Sequence, residues 1–345
     1  MMMALGFFFT ILVGDLLISI VSTGQIYGSR NYSAWKWQLL ENSESSPDIV
    51  ILGSSYEAYG VKPSTIKQSL EAGLRDPVGI LNLSSSASSL LTQNIFVRRM
   101  LDEGYRPDVV YLGVTPNAVD TWMRSWLQNG LTALGGLHAL PMVCVHDPSL
   151  LQYALPAALF RSYHRWHETS LLTRRLILGA PLNPPSDEHR YADGWAEWRG
   201  KTHSEVVTAE TGNGGIAGGD DRMALRMSPA NINGVALRDS ISALRRAGVA
   251  VRLLELPHAS YAPAYASPGR NRYYRRFVEV ISREMAVDVL RPPAGLLDDD
   301  DYWDGVHLAA TGAESVSRWL ARDADAVVRA SRSDHRLADN PELQP

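Results

Sequence analysis

The sequence predicts an α/β fold: a three-layer sandwich around a central, mainly parallel five-stranded sheet. Three observations predict it. Short apolar runs alternate with amphipathic helical stretches from Asp48 onward. Gly and Pro punctuate the joins, as Pro107 does before Asp108 and Gly248 before Val249. Polar, chemistry-bearing residues gather just after the apolar runs, where ligands collect in parallel sheets.

The elements follow in order. Ile49–Leu52 reads as a short buried strand. Pro63–Leu74 reads as a helix with Ile66, Leu70 and Leu74 four apart. Val78–Leu83 is the second strand, and Ser89–Glu103 the second helix, stopped by Gly104. Asp108–Gly113 is the third strand. Residues 118–228 then lose the pattern. They are rich in Trp, Pro and Gly, with a Gly-rich stretch at 211–219, and read as a large insertion, either a lid or a partner surface. Regularity returns with a helix over Val235–Ala247 and a fourth strand over Val249–Leu256. A helix over Arg272–Met285, a short fifth strand over Ala286–Leu290 and a closing helix over Leu308–Ala330 complete the pattern. The polar residues 331–345 read as a disordered tail.

The N-terminus differs in kind. Ala4 to Ser22 is apolar with one charge, Asp15, and nearly long enough to span a bilayer. Residues 1–24 are expected to be a single transmembrane anchor or a cleaved signal, with Ser22-Thr23-Gly24 as the small residues before a cut. Residues 25–47 are expected to be a linker, and 48–330 the main domain. Arg30 and Lys36 follow the apolar run and no basic residue precedes it, so charge alone leans against export.

Bulk properties exclude some classes. Hydrophobic residues make up 45% and charged residues 20%, an ordinary globular balance. A net charge of −4 offers no footprint for nucleic acid. Cys144 is the sole cysteine, so no intramolecular disulfide can form. No dinucleotide or Walker-type loop follows the first strand, and no nucleophile-elbow motif occurs.

Two segments carry the chemistry. The first strand ends in Gly53-Ser54-Ser55, and a late loop carries Asp304-Gly305-Val306-His307. A serine hydroxyl needs a base to take its proton, which His307 can do. Asp304 can orient the imidazole and stabilise its charged form. An oxyanion needs donors, for which the Ser55 and Ala87 backbone N–H groups and the Asn117 side chain are candidates. No cofactor or metal is called for. Asp298–Asp301 lacks calcium-loop spacing and reads as a solvated turn. His164 and His167 lack zinc-protease spacing and read as a surface helix. Arg270, Arg272, Arg275 and Arg276 read as a solvated helix face, with anionic glycan as the sharper alternative. Trp195 and Trp198 read as packing, with sugar stacking as the alternative. His258, after the fourth strand, either lines the site or caps the strand end.

These residues resemble the SGNH (GDSL-like) hydrolase superfamily, whose sheet is flavodoxin-like. The first block, Gly53-Ser54-Ser55, has Ser54 where the family carries Asp. The second reads Asn82-Leu-Ser-Ser-Ser-Ala87, with Ala87 in the place of a glycine. The third reads Gly113-Val-Thr-Pro-Asn117, two residues longer than usual. The last, Asp304-Gly-Val-His307, matches and is followed by the usual Gly312. The resemblance covers 48–117 and 231–325. It implies a Ser55–His307–Asp304 triad, with Ala87, Asn117 and Ser54 serving the oxyanion or substrate. Gly-Ser-Ser behind an apolar N-terminus is similar to the cell-envelope branch, which includes the DltD-like and alginate O-acetylation types. That branch implies an esterase or O-acyltransferase acting on polysaccharide or another acylated glycan. It also implies a domain outside the cytoplasm and a membrane-bound O-acyltransferase as partner. A non-catalytic protein on the same fold, binding glycan or such a partner, is the alternative.

Overall fold

A computed structural model describes residues 32–339 apart from 44, 74–76, 122, 124–125, 129, 132–136, 160–187, 199–219 and 263–267. The chain runs α1 (Tyr32–Glu41), β1 (Ile49–Leu52), α2 (Ser55–Gly60), α3 (Pro63–Glu71), β2 (Ile80–Asn82), α4 (Leu90–Asp102) and β3 (Val109–Gly113). It continues through α5 (Pro116–Val119), α6 (Leu140–His146), α7 (Leu151–Leu159), β4 (Glu188–Arg190), β5 (Ala196–Trp198) and α8 (Asp220–Arg226). It closes with α9 (Ile232–Arg246), β6 (Ala250–Leu254), α10 (Pro268–Met285), β7 (Val289–Leu290) and α11 (Ala310–Asp339).

The main sheet has the order β2-β1-β3-β6-β7, and every neighbouring pair is parallel. Strand side chains alternate between two cores, because successive Cβ atoms point to opposite faces. Val50, Leu52, Val110, Leu112, Val251 and Leu253 face a core built with α1, α4, α9 and α10. Ile49, Ile51, Val109, Tyr111 and Leu254 face a core built with α2, α3 and α11. Helices on both faces of one sheet make the three layers expected. From β1 the chain steps outward to β2 and then returns to β3 on the other side of β1. The C-terminal ends of β1 and β3 therefore form the topological switch point, the crevice where open α/β sheets bind ligands.

Caps explain several boundaries. Ser89 and Asn231 accept backbone N–H groups at the starts of α4 and α9. The strands come out shorter than the apolar runs, most clearly β7, which keeps only Val289 and Leu290 of the predicted five residues.

Three expectations change. The predicted linker contains α1, whose Lys36, Trp37 and Leu40 are buried. The predicted insertion contributes Leu127, Leu131, Val143, Leu150, Ala154, Met223 and Met227 to the core. The closing helix runs past Ser331, the predicted start of a tail, to Asp339. Ser331 donates to Asp108 (2.5 Å), and Arg332 reaches Asp48 and the Pro77 carbonyl, so polar residues dock there through charge and hydrogen bonds. The apolar run Ala4–Ser22, the Gly-rich stretch 211–219, His164, His167 and the tail beyond 339 lie outside the described residues. Among the described residues no helix is long and apolar enough to cross a membrane.

Candidate active site

The site grows out of the β1 terminus. Ser54 caps α2 and Glu57 answers it three residues later, a reciprocal capping box. That turn starts the helix at Ser55 and sets its side chain at the switch point. The Ser55 hydroxyl lies 2.8 Å from His307 Nε2. His307 Nδ1 lies 2.6 Å from Asp304 Oδ2. Asp304 Oδ1 accepts the backbone N–H groups of Val306 (2.7 Å) and His307 (2.6 Å). Both Asp304 oxygens are thus committed, and the carboxylate fixes the loop and the imidazole together. The relay joins residues 252 apart in sequence.

The floor is built around Glu57. Its carboxyl is fully buried between Gly53 and Gly113, and a Cβ on either glycine would come within 2.3 Å of it. Oε2 accepts the Ser54 N–H at 2.7 Å and the Ser54 hydroxyl at 3.2 Å. Oε1 has no hydrogen-bond partner among the described residues. Burial, opposed by the Ser54 hydrogen bonds, pushes this carboxyl up to about 7.

The wall toward β2 is a polar loop. Asn82 is saturated: its side-chain amide donates to the Glu57 and Val61 carbonyls, and its Oδ1 accepts the Ser84 N–H. Leu83 and Ser85 donate to the Ile51 and Gly53 carbonyls, tying the loop to the end of β1. Ala87 then adopts φ 56°, a left-handed conformation that favours the glycine it replaces. Among the described residues neither the Ser55 nor the Ala87 N–H enters a backbone hydrogen bond, so both are available to an incoming oxyanion.

Other sequence candidates fall differently. Ser54, read as a substrate contact, is wholly enclosed, and its hydroxyl and N–H both serve Glu57. Asn117 gives its amide oxygen to Arg270, leaving its NH2 as the remaining donor. Arg270, read as part of a solvated face, is buried beside Asn117 and Asp120. Asp120 in turn holds Arg226 through both carboxylate oxygens. His258 packs edge-on against Tyr56, with centroids 5.4 Å apart. Burial, with Arg270 and His307 adding positive charge, pushes its imidazole down to about 4. Trp195 is buried and donates to the Tyr59 carbonyl at 2.9 Å, so it packs rather than presenting a face to solvent. Asp298 caps a 3₁₀ turn over Asp299–Asp301, and Asp299 accepts from Ser260.

Sequence reasoning missed Glu57, Lys36, Tyr59 and Trp303. For Glu57 a signal existed in the Ser54-x-x-Glu57 spacing. Lys36 sits in the supposed linker, yet it is fully buried and donates to the Asn82 carbonyl at 2.7 Å and to the Gly194 carbonyl. Burial lowers its ammonium pKa well below the ordinary lysine value, against the opposing charge of Asp193.

No family model matches the chain, and no curated protein matches it. Among solved structures it is similar to a lipase/acylhydrolase from Enterococcus faecalis, at 11% identity and a TM-score of 0.36, over 81% of this chain and 95% of that one. It is also similar to an alpha/beta hydrolase enzyme from the metagenome of Lake Arreo, Spain, at 13% identity and a TM-score of 0.31, over 82% of this chain and 97% of that one.

Proposed function

We propose that this chain is an SGNH-like serine acyl esterase or O-acyltransferase working through an acyl-serine intermediate. The observation that carries the reading is the continuous relay from Ser55 Oγ through His307 to Asp304, at 2.8 and 2.6 Å. His307 takes the Ser55 proton as Oγ bonds to the acyl carbon, and returns it to the departing oxygen as the ester C–O bond breaks. The Ser55 and Ala87 N–H groups, with the Asn117 amide, receive the oxyanion. Water or a sugar hydroxyl then takes the acyl group by the same proton path in reverse. The proposed substrate is an acylated or acyl-accepting polysaccharide of the cell envelope. An N-terminal anchor over Ala4–Ser22 would hold the domain outside the cytoplasm, beside a membrane-bound O-acyltransferase; the apolar run supports the anchor, and the family resemblance, against the charge pattern, supports the orientation and the partner.

A second reading is a non-catalytic glycan- or partner-binding protein, favoured by the left-handed Ala87 in the oxyanion loop. Release of p-nitrophenol from its acetate ester separates the two. Turnover should fall by about 10³-fold or more in Ser55→Ala and in His307→Ala with circular dichroism unchanged. A folded wild type that neither turns over this ester nor forms an adduct with a serine-reactive phosphonate would sink the enzymatic reading.

A further inference from the structure

The loop carrying Asp304 and His307 closes on itself. Tyr302 and Leu308 pair in an antiparallel bridge, and the Trp303 N–H donates to the His307 carbonyl at 3.1 Å. That turn lays the Trp303 indole flat on the His307 imidazole, with centroids 5.0 Å apart and planes within 10°. The other aromatic neighbours approach differently. Tyr59 meets the imidazole at 79° and 5.2 Å, and Tyr56 at 60° and 5.7 Å. Tyr59 also abuts Trp303 edge-on at 6.1 Å, which limits indole movement. Of these three rings, Trp303 alone lies parallel to the imidazole of the base, in an offset stack.

An aromatic face is the negative pole of the ring quadrupole, and Trp has the strongest such face among the side chains. It stacks on a neutral imidazole and attracts a charged one. In acyl transfer the charged state is transient: it exists while Nε2 holds the serine proton, between formation of the Oγ–C bond and loss of that proton to the departing oxygen. Asp304 supplies charge in the imidazole plane through Nδ1. Trp303 supplies it from above the plane, where no carboxylate hydrogen bond can reach.

We infer that Trp303 is a positioning residue for acyl transfer, its indole face holding the His307 ring in line with Ser55 and stabilising the imidazolium formed as the serine proton arrives. The inference rests on the acyl-transfer reading above. It needs no further reactant, because each half-reaction balances its own proton: the Ser55 proton leaves with the departing oxygen in acylation, and the proton of the water or acceptor hydroxyl returns to Ser55 Oγ in deacylation.

The test uses the full chain with p-nitrophenyl acetate. Trp303→Leu keeps apolar bulk and removes the π face; kcat should fall by about 3- to 10-fold with KM within about twofold, and Trp303→Phe should lie between. Both half-reactions pass through the imidazolium, so kcat senses the effect whichever limits. A second arm replaces tryptophan throughout with a ring-fluorinated analogue, which drains the π face at nearly constant shape. Fluorination should slow the wild type and leave Trp303→Phe unchanged. Equal kcat in Trp303→Leu and wild type, or equal fluorination effects in the two proteins, overturns the inference while acyl transfer stands. A folded wild type with no turnover and no phosphonate adduct overturns both.

Discussion

Ala87 shows how one methyl group bears on this site. A left-handed φ of 56° is cheap for glycine and costs an L-residue on the order of 1 kcal/mol. The strain falls in the loop proposed to offer its N–H to the oxyanion, where a backbone held in one conformation would be useful. Ala87→Gly should raise unfolding stability by up to about 1 kcal/mol, partly offset by the greater freedom of glycine in the unfolded chain. Ala87→Val should lower stability by more than that, since a β-branched side chain tolerates this region least. Urea midpoints of the two variants check this, and a Val variant as stable as wild type would contradict it. Glu57 makes a related point. The Ser54-x-x-Glu57 spacing is that of an ordinary capping box, yet the Glu57 carboxyl lies in a slot opened by two glycines, Gly53 just past β1 and Gly113 at the end of β3.

At the scale of elements, α1 departs furthest from its sequence reading. Its polar and aromatic composition resembles a linker, but Lys36 inserts its amine between two carbonyls, one at the end of β2 and one in the β4–β5 hairpin. Ser33 adds a 2.9 Å hydrogen bond to Ser85 in the loop after β2. The hairpin fits closely there: Gly194 has φ 87°, and a Cβ on it would lie 2.1 Å from the Asn82 oxygen. Lys36→Met leaves both carbonyls without their donor and should cost about 2 kcal/mol of stability, relief of a buried amine offsetting part of the loss. The hairpin should also be nicked faster by protease in that variant. Unchanged cleavage within 188–198 would show that Lys36 does not hold it.

Across the whole molecule, two buried groups pull the pH dependence of stability in opposite directions. Glu57 keeps its proton in the native state until about pH 7, whereas the unfolded carboxyl loses it near 4.5. The folded protein binds the extra proton in that window, so stability falls as pH rises through it. His258 gives up its proton in the native state down to about pH 4, whereas the unfolded imidazole takes it near 6.5. There the unfolded chain binds the extra proton, and stability rises with pH. Between about pH 4.5 and 6.5 the two contributions nearly cancel. Relative to wild type, Glu57→Gln should therefore add a rising slope between about pH 4.5 and 7, and His258→Gln a falling one between about pH 4 and 6.5. The Glu57 contribution alone is on the order of 3 kcal/mol across its window. Urea midpoints at half-unit pH steps measure both, and parallel profiles for all three proteins would contradict the assignment.

The sequence by itself determined the layers, the strand series and the two ends of the relay. Those features are local: apolar runs of strand length, helical spacing such as Ile66-Leu70, a serine just past an apolar run, and an Asp-x-x-His on a late loop. Periodicity and caps act over a few residues, so a linear reading captures them. Only the tertiary structure decided that Ser55 meets His307, that Glu57 fills the gap between Gly53 and Gly113, that Arg270 is buried against Asn117, and that Lys36 belongs to the core. Each of these depends on which distant surfaces the sheet order brings into contact. Burial then sets the cost of every unpaired polar group, and with it which side chains must find partners far along the chain.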